Sequence, residues 1–338
     1  MDSTARRRRV YPAARPVLGL DIGGTKLAAG VITGDGDLHG VIVQPTRRTE
    51  GWPAVVERLF AMGRESVAAA GLGAIGAVGV ACGGPLDAAT GTLLAPPHLP
   101  GWRNVRIGRL AEDAFGVPAA LQNDATAAAL AEYHFGAGTE ASTMLYLTIS
   151  TGIGGGAVVE GRLHLGAAGN AAEFGHVTVS RGGRPCSCGR SGCIEAYASG
   201  TNIAERAREG LGDFPGSSLA ELSEITAADV TRAAAAGDPL AGHVWAETVD
   251  LLGSAITDLV NVFEPDLVVL GGGVTRAGAM LLDPVREIVA AEAMPPAAAA
   301  ARIVLAGLGD HVGVVGAGAV ALEYAQPGHH FAPQVTRV

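Results

Sequence analysis

Three of the four cysteines in this chain fall within eight positions, at Cys186, Cys188 and Cys193, and His176 stands ten positions before the first of them. Three thiolates and one imidazole make a ligand set that suits tetrahedral zinc. The surrounding segment is rich in glycine, arginine and serine, which argues against a cluster of buried free thiols. Because four protein ligands leave no position open for water or substrate, we expect a structural metal site and not a catalytic one.

Carboxylates form a second group of candidates. Asn123 and Asp124 precede an alanine-rich helical segment and are good helix N-cap residues, so capping alone would explain both. Asp124 has a second interpretation, because a carboxylate at a helix N-terminus stays ionised and can accept a proton from a substrate hydroxyl as general base. Glu173 and Glu195 flank the cysteine cluster on opposite sides, with His176 between them. Two carboxylates near an imidazole suit the hydroxyls of a sugar, although surface charges would have the same pattern.

Glycine-rich segments follow three apolar runs, and glycine lets backbone amides approach an anion closely. The first is DIGGTK (21–26), in which Asp21 would hold magnesium through water and Lys26 precedes a strand, unlike the lysine of a Walker A loop. The second is STGIGGG (150–156), and the third is the GGG of 271–273. One such segment is equally explained as a hairpin turn, but three together predict a site for a nucleotide triphosphate. The residues assigned to the nucleotide and its magnesium ion are Asp21, Gly23, Gly24, Thr25, Lys26, Thr151, Gly152, Gly154, Gly155, Gly271, Gly272 and Gly273.

The elements that must position these residues alternate between short β-branched runs and long stretches rich in alanine and leucine, which favours an α/β fold. Helical periodicity is clear over 52–70. The segments 17–40 and 144–166 share one pattern of strand, glycine turn, strand, turn and strand. We interpret them as an internal duplication, with two related halves that each begin with a hairpin whose tight turn faces a common cleft.

Charge and composition exclude several classes of protein. The net charge of −9 argues against general nucleic-acid binding, which needs a basic surface. We interpret the basic run Arg6–Arg9 as a solvated disordered tail, since the apolar stretch after it is interrupted by charged residues and glycines and does not make an export signal. No apolar run reaches the roughly 18 residues that span a bilayer, and the crowded cysteines do not suggest a disulfide framework. We therefore predict a soluble cytoplasmic protein, and we interpret the isolated Cys82 as a core residue.

The motifs DIGGTK, NDATAAALAE, ISTGIGGG, AAEFGH and CSCGRSGCIE, in this order, are similar to those of the ROK family (repressor, open reading frame, kinase) within the actin-like sugar-kinase superfamily. The resemblance runs from about Val17 to Ala325. Its most specific part is the cysteine motif, which fits C-x-C-G-x-x-G-C-x-E. GGPLD and PPHLPGW resemble further family segments near the sugar.

The resemblance implies an α/β fold with two actin-like (ribonuclease H-like) lobes, mixed sheets flanked by helices, a cleft between the lobes and a small structural zinc site. We expect a disordered basic tail over 1–15 and a small lobe over 16–129, joined by a C-terminal helix at about 316–326. The large lobe with the zinc site would cover 130–315, and a loose tail 327–338.

The resemblance also implies ATP-dependent phosphorylation of a hexose at its 6-hydroxyl, with glucose as the leading substrate and N-acetylglucosamine or N-acetylmannosamine as the alternative. Asp124 would be the catalytic base, magnesium would serve the phosphates and zinc would be structural. No nucleic-acid or membrane partner is expected, and assembly would give a homodimer or homotetramer. The positions carried over to the sugar are Gly84, Asn123, Asp124, Glu173, His176 and Glu195, and those carried over to zinc are His176, Cys186, Cys188 and Cys193.

Two other classes of protein fit the sequence less well. A ROK repressor requires a helix-turn-helix before the kinase-like core, and about sixteen residues precede the first predicted strand, too few for that module. A non-catalytic sugar sensor is disfavoured because Asp124 and both phosphate segments are intact. Two departures from the family pattern bear on the sugar: His98 stands where the family often has Asn, and Ala172 where it often has Gly. The sequence leaves open the preferred hexose, the oligomeric state, regulation, and whether polyphosphate replaces ATP.

Overall fold

The structure is a computed structural model, and it describes Tyr11 and residues 14–326. The basic run Arg6–Arg9 and the tail predicted over 327–338 lie outside the described residues. The strands are β1 (Val17–Ile22), β2 (Lys26–Ile32), β3 (Leu38–Pro45), β4 (Val78–Cys82), β5 (Leu86–Asp87), β6 (Thr92–Leu93), β7 (Ala119–Asn123), β8 (Met144–Ile149), β9 (Ile153–Val159), β10 (Arg162–Leu163), β11 (Leu267–Gly271) and β12 (Arg302–Leu305). The α-helices are α1 (Trp52–Ala70), α2 (Ile107–Phe115), α3 (Asp124–Phe135), α4 (Glu195–Ala198), α5 (Gly200–Gly210), α6 (Ala227–Ala235), α7 (Pro239–Phe263), α8 (Ala279–Glu292), α9 (Pro295–Ala300) and α10 (Val312–Tyr324).

The chain divides into two compact units that alternate along the sequence. The first contains the chain up to Ala141, Gly156–Ala172 and the chain from Gly307 onward. The second contains Ser142–Gly155 and Glu173–Ala306. The lobe boundaries expected from the sequence, 16–129 and 130–315, remain a prediction.

The first unit is built on a sheet with the strand order β3-β2-β1-β4-β7. β1, β2 and β3 pair antiparallel as successive hairpins, whereas β1, β4 and β7 pair in parallel. β4 is buried along its whole length, as expected for a parallel strand covered on both faces. Residues of α1 and α2 pack into the hydrophobic cluster on one face, and residues of α3 and α10 into the cluster on the other.

Glycines let α10 lie directly on this sheet. A Cβ added at Gly19 of β1 or at Gly79 of β4 would overlap a carbonyl oxygen of α10. On the helix itself, Gly316 leaves room for the backbone of Ala127 in α3. The glycines of α10 therefore serve close packing and do not interrupt the helix, which begins at Val312, ahead of the start expected at about 316.

A second sheet has the strand order β10-β9-β8-β11-β12. β8, β11 and β12 pair in parallel, and β9 pairs antiparallel with β10. When the strands of each sheet are numbered in chain order, both sheets read 3-2-1-4-5. This shared order agrees with the predicted internal duplication, and the predicted α/β class with mixed sheets flanked by helices is confirmed.

Among the described residues, no helix combines the length and the apolar character that crossing a membrane requires.

Candidate functional site

The carboxyl ends of three neighbouring strands carry most of the candidate residues in the first unit. β1, β4 and β7 are parallel and in register, with Ile22 opposite Cys82 and Cys82 opposite Asn123. Adjacent strands lie about 4.8 Å apart, so β1 and β7 are about 10 Å apart with β4 between them. The two candidate carboxylates, Asp21 of β1 and Asp124 just after β7, therefore stand on either side of the end of β4.

Asp124 is the first residue of α3, and Asn123 is the N-cap of that helix. Asn123 Oδ1 accepts hydrogen bonds from the amides of Ala125 and Thr126, at 2.9 and 3.2 Å. Asp124 Oδ1 accepts a bond from the Ala125 amide at 2.8 Å, whereas Asp124 Oδ2 accepts no hydrogen bond from any other described residue. Asp124 is open to solvent, yet the protein around it partly desolvates the carboxylate and raises its pKa above the usual range. One oxygen thus stays available for a substrate.

Asp21 is half-buried and lies against the start of α10. A Cβ on Gly313, the second residue of α10, would overlap Asp21 Oδ2, so this close approach requires glycine. Burial, reinforced by the negative charge of Asp124, raises the pKa of Asp21 to about 7, and Lys26 opposes the rise. The pKa values of Asp21 and Asp124 are both raised, so a bound cation would stabilise their ionised forms. Carboxylate oxygens are the ligands that magnesium prefers. The donor set fits the predicted magnesium ion.

His98 fills the space between the two glycine turns of this unit. A Cβ at Gly24 would lie 3.3 Å from His98 Cβ, and a Cβ at Gly83 would lie 2.6 Å from His98 Cε1. His98 Nε2 is 3.8 Å from the thiol of Cys82, which is buried in the core as predicted. Desolvation lowers the pKa of His98, although the charge of Asp124 opposes it. In the sequence, His98 was notable only as a departure from the family pattern. Its contacts with Gly24, Gly83 and Cys82 place it in the candidate site.

The other candidates of the first unit lie in the turn between β1 and β2 and in the turn after β4. The Gly23 amide donates to the Lys26 carbonyl at 3.0 Å, so Gly23 has the hairpin role that was the plainer interpretation. Thr25 and Lys26 are exposed. A Cβ at Gly84 would lie 3.8 Å from Asn123 Nδ2, which places this amide donor beside the glycine turn.

In the second unit, the structure brings together the four predicted metal ligands. The ligand atoms of His176, Cys186, Cys188 and Cys193 all lie within 4.8 Å of one another. Cys188 Sγ is 3.7 Å from Cys193 Sγ, and Cys186 Sγ is 3.6 Å from His176 Nδ1. Tetrahedral zinc, with bonds of about 2.3 Å to sulfur and about 2.0 Å to nitrogen, sets its ligand atoms about 3.5–3.8 Å apart. The four residues fit this ion in number, chemistry and spacing.

The metal cluster stands on a segment with little regular structure. It begins with one turn of 3-10 helix, Phe174–His176, and an isolated bridge joins Thr178 to Cys193. The four cysteines of the chain form no disulfide. Arg184 ties the segment to α5 through two hydrogen bonds to the Glu209 carboxylate, at 2.6 and 2.9 Å. Backbone bridges, the buried side chains of Phe174 and Ile194, and the Arg184–Glu209 ion pair together hold this segment in place.

Glu195 joins the metal segment to the second glycine segment. Its Oε2 accepts a hydrogen bond from the Ile153 amide at 2.9 Å, and its Oε1 accepts one from Ser187 Oγ at 3.1 Å. Oε1 also lies 3.7 Å from Cys186 Sγ. A Cβ at Gly152 would be 2.7 Å from Oε2, so the carboxylate needs glycine there. Glu195 is a half-buried, hydrogen-bonded group and not a surface charge.

Glu173 and His176 share the short 3-10 turn. Glu173 is its N-cap residue, and the His176 amide donates to the Glu173 carbonyl at 3.0 Å. Because His176 Nδ1 faces the sulfur of Cys186, Nε2 is the nitrogen left to meet a substrate. Directly before Glu173, Ala172 has a φ of 65°, a left-handed conformation that favours glycine.

Some residues of the three predicted phosphate segments lie in strands and not in loops. Gly154 and Gly155 lie inside β9, and Gly271 is the last residue of β11. Gly272 has a φ of 90°, and a Cβ there would overlap the carbonyl of Ile149. Gly271 and Gly272 therefore allow close packing against β8, which the sequence pattern alone did not separate from a phosphate role.

Thr151 and Gly273 line a cavity of about 610 Å³ in the second unit. This volume is within the range of small-molecule sites. Half of the lining residues belong to α5 and α6, which the sequence analysis did not single out. One signal for α5 is present in the sequence, since Ser199 is an N-cap residue directly ahead of Gly200. The lining residues are Ser150, Thr151, Gly200, Thr201, Ala204, Arg208, Ile225, Thr226, Ala227, Ala228, Thr231, Arg232, Gly273, Val274, Arg276 and Ala277.

Comparison with known proteins identifies the family of the chain. The model of the ROK family matches residues 17–324. The chain belongs to the ROK family. It is 35% identical over 308 residues to a glucokinase of Halalkalibacterium halodurans, a match that covers 89% of this chain and 93% of that protein.

Two solved structures of ROK proteins are similar to the whole core of the chain. The crystal structure of a ROK hexokinase from Thermus thermophilus has a TM-score of 0.77 and 37% identity, covering 90% of this chain and 97% of that one. A ROK family glucokinase from Streptomyces griseus, in complex with glucose and AMPPNP, has a TM-score of 0.76 and 34% identity, covering 90% and 99%. The family predicted from the five motifs is confirmed, while the roles of the individual residues stay predictions.

Proposed function

We propose that this ROK protein is a glucokinase-like hexose kinase that transfers the γ-phosphoryl group of ATP to the 6-hydroxyl of a hexose, preferably glucose. The observation that carries the proposal is the match over nine-tenths of the chain to a ROK glucokinase that holds glucose and AMPPNP. The geometry of the two units supports it, since one presents a carboxylate with one oxygen that accepts no hydrogen bond from another described residue, and the other a cavity of nucleotide size.

Asp124 is the general base of the proposed reaction. Its Oδ1 is held by the Ala125 amide, so Oδ2 is the oxygen that would orient the 6-hydroxyl and accept its proton. The proton leaves the hydroxyl as the new oxygen–phosphorus bond forms and the bond to the β-phosphate oxygen breaks. Phosphoryl transfer has a loose transition state, so this orientation matters more than the strength of the base.

Asp21 would hold magnesium, which neutralises charge on the phosphate oxygens when it is bound. Lys26 and Thr25, exposed at the turn between β1 and β2, would add a cation and a hydroxyl on the phosphates. The ionised form of Asp21 is the one that binds a cation, and its raised pKa means that acid opposes this role.

The sugar hydroxyls are assigned to groups of both polarities. Asn123 Nδ2 and His176 Nε2 are donors, and the carboxylates of Glu173 and Glu195 are acceptors. The backbone turn at Gly84 would complete the set. Zinc on His176 Nδ1 would fix the tautomer so that Nε2 carries the proton, which makes the metal a positioning element.

Three further assignments belong to the same proposal. ATP would occupy the cavity lined by Thr151 and Gly273. The lobes would follow the ranges 16–129 and 130–315, and the protein would work in the cytoplasm. It would assemble as a homodimer or homotetramer, as expected from the resemblance to ROK kinases.

The test is an ATP-consumption assay over glucose, mannose, fructose, N-acetylglucosamine and N-acetylmannosamine. We expect the highest kcat/KM with glucose. A higher value with an N-acetylated sugar would replace the substrate in the proposal, and no turnover with any of the five would support the non-catalytic sensor. Inorganic polyphosphate in place of ATP serves as a second donor in the same assay.

A further inference from the structure

The cavity in the second unit is lined by both polar and apolar residues. The Gly200 amide donates to the Ser150 carbonyl at 2.6 Å, which sets the N-terminus of α5 against the end of β8. Ser199 Oγ caps this helix by accepting from the Asn202 amide at 3.3 Å. Ser150 and Thr151 belong to the same lining and carry hydroxyls. A helix N-terminus with hydroxyls beside it favours an anion, so this part of the lining suits phosphates.

The start of α6 also lines the cavity. Thr226 and Asp229 form a capping box at the start of α6, in which Asp229 Oδ2 accepts from the Thr226 amide at 2.9 Å. The hydrogen bonds from Thr226 lower the pKa of Asp229, so this carboxylate is ionised at neutral pH. Its charge is paired with that of Arg232. Ile225, Ala227 and Ala228 supply apolar surface there, which suits a planar base.

Arg208 lines the same cavity from the last turn of α5. Gly200, Ala204 and Arg208 follow one another at intervals of four residues, so they line the cavity from one face of α5. Eight residues of helix separate Arg208 from Gly200 by about 12 Å. The Arg208 side chain is exposed, and its guanidinium makes no hydrogen bond or ion pair with any described residue. Arg232, a second arginine of the cavity lining, is bound to Asp229.

We propose that Arg208 holds the nucleobase of ATP by stacking its planar guanidinium on the purine ring. The inference rests on the proposed function, because it takes the cavity to be the ATP site. A guanidinium is flat, always charged and weakly hydrated, and it stacks well on aromatic faces. Arg208 is then a determinant of donor choice: it favours a phosphoryl donor that carries a base over one that is phosphate alone.

The test compares two ligands that share phosphates and differ in the base. ATP and inorganic tripolyphosphate are titrated calorimetrically into the wild type, Arg208→Ala and Arg208→Lys. We expect Arg208→Ala to weaken ATP binding roughly three- to tenfold and to leave tripolyphosphate unchanged. Arg208→Lys keeps the charge and loses the plane, so it should recover only part of the affinity. In turnover, the KM for ATP should rise while kcat and the hexose KM stay constant.

Glu205→Ala is the matched control, because Glu205 is an exposed residue of the same helix outside the cavity. It should bind both ligands like the wild type. Equal losses for ATP and tripolyphosphate in Arg208→Ala would mean that Arg208 binds phosphates, and unchanged ATP binding would mean that it binds nothing. Either result overturns the inference. Calorimetry needs no turnover. A protein that binds ATP and phosphorylates no sugar would refute the kinase proposal, and the effect of Arg208→Ala on ATP binding would still test the role of Arg208.

Discussion

The two groups of candidate residues are held in place by different means. In the first unit, Asp21 lies in β1 against the start of α10, and Asp124 follows β7 as the first residue of α3. Strands and helices therefore fix both carboxylates. In the second unit, His176 and the three cysteines stand on a segment with a single 3-10 turn and isolated bridges. There a metal ion would tie the four ligands together, beside the buried side chains of Phe174 and Ile194.

This difference separates chemistry from position. A carboxylate fixed by strand and helix ends loses its function when its charge is removed, while the scaffold around it stays intact. A side chain fixed by a metal loses its position when one ligand is removed, even if its own chemistry is untouched. The two units should therefore fail differently when they are mutated, in kcat for the first and in substrate KM for the second.

The largest effect is expected from Asp124→Asn. Asn keeps a carbonyl oxygen that can accept from the Ala125 amide, so α3 should form as before. It cannot accept the proton of the sugar hydroxyl, and kcat should fall by about 10²–10⁴-fold. The measurement is steady-state ATP-dependent phosphorylation, with thermal unfolding as the check on folding. Asp113→Asn, on the exposed side of α2, is the control and should match the wild type. Substantial turnover in Asp124→Asn would remove Asp124 from the role of base.

An intermediate effect is expected from Cys188→Ser. Loss of one ligand from a four-ligand site should release zinc and loosen the segment that carries Glu195 and His176. We expect the hexose KM to rise roughly 10- to 100-fold with a smaller change in kcat. Zinc content, measured by atomic absorption, and hexose KM are read on the same samples. Cys82→Ala should keep its zinc, because Cys82 lies outside the cluster. A zinc-free Cys188→Ser protein with the wild-type hexose KM would show that the metal does not position the side chains proposed to bind the sugar.

The smallest effect concerns stability and Asp21. Its pKa rises from 3.8 to about 7 in the folded protein, so ionising it costs folding free energy that grows as the pH rises across that interval. Asp21→Asn removes this cost. Without ligands or metal, the variant should be more stable than the wild type at about pH 8, by on the order of 1–3 kcal/mol since the site is partly open to water. The gain should shrink at about pH 5. Equal gains at both values would show that the charge of Asp21 is not the cause.

Much of this organisation could be predicted from the sequence because it is local or repeated. The N-cap role of Asn123 follows from its residue type ahead of an alanine-rich helix. The four metal ligands follow from residue chemistry and spacing, and the structure places their ligand atoms within bonding reach of one ion. The shared 3-2-1-4-5 order of the two sheets follows from the repeated pattern of strands and glycine turns.

Other features could not be predicted because they depend on contacts between distant parts of the chain. Gly271 and Gly272 have the same pattern as a phosphate turn, and their packing against β8 shows a structural need for glycine. The start of α10 was obscured by glycines that make room for the sheet and for α3. Arg208 carries no signal in the sequence, since an exposed helical arginine is ordinary until the cavity beside it is known.

The sequence by itself determined the family, the class of fold and the chemistry of the candidate groups, because motifs, strand patterns and ligand sets are written in residue types and spacings. The tertiary structure alone decided which oxygen of Asp124 accepts from the Ala125 amide, which nitrogen of His176 faces the cysteines and which three arginines, Arg208, Arg232 and Arg276, line one cavity. These depend on the direction of individual bonds and on charges brought together from separate elements, and residue order does not encode either until the chain has packed.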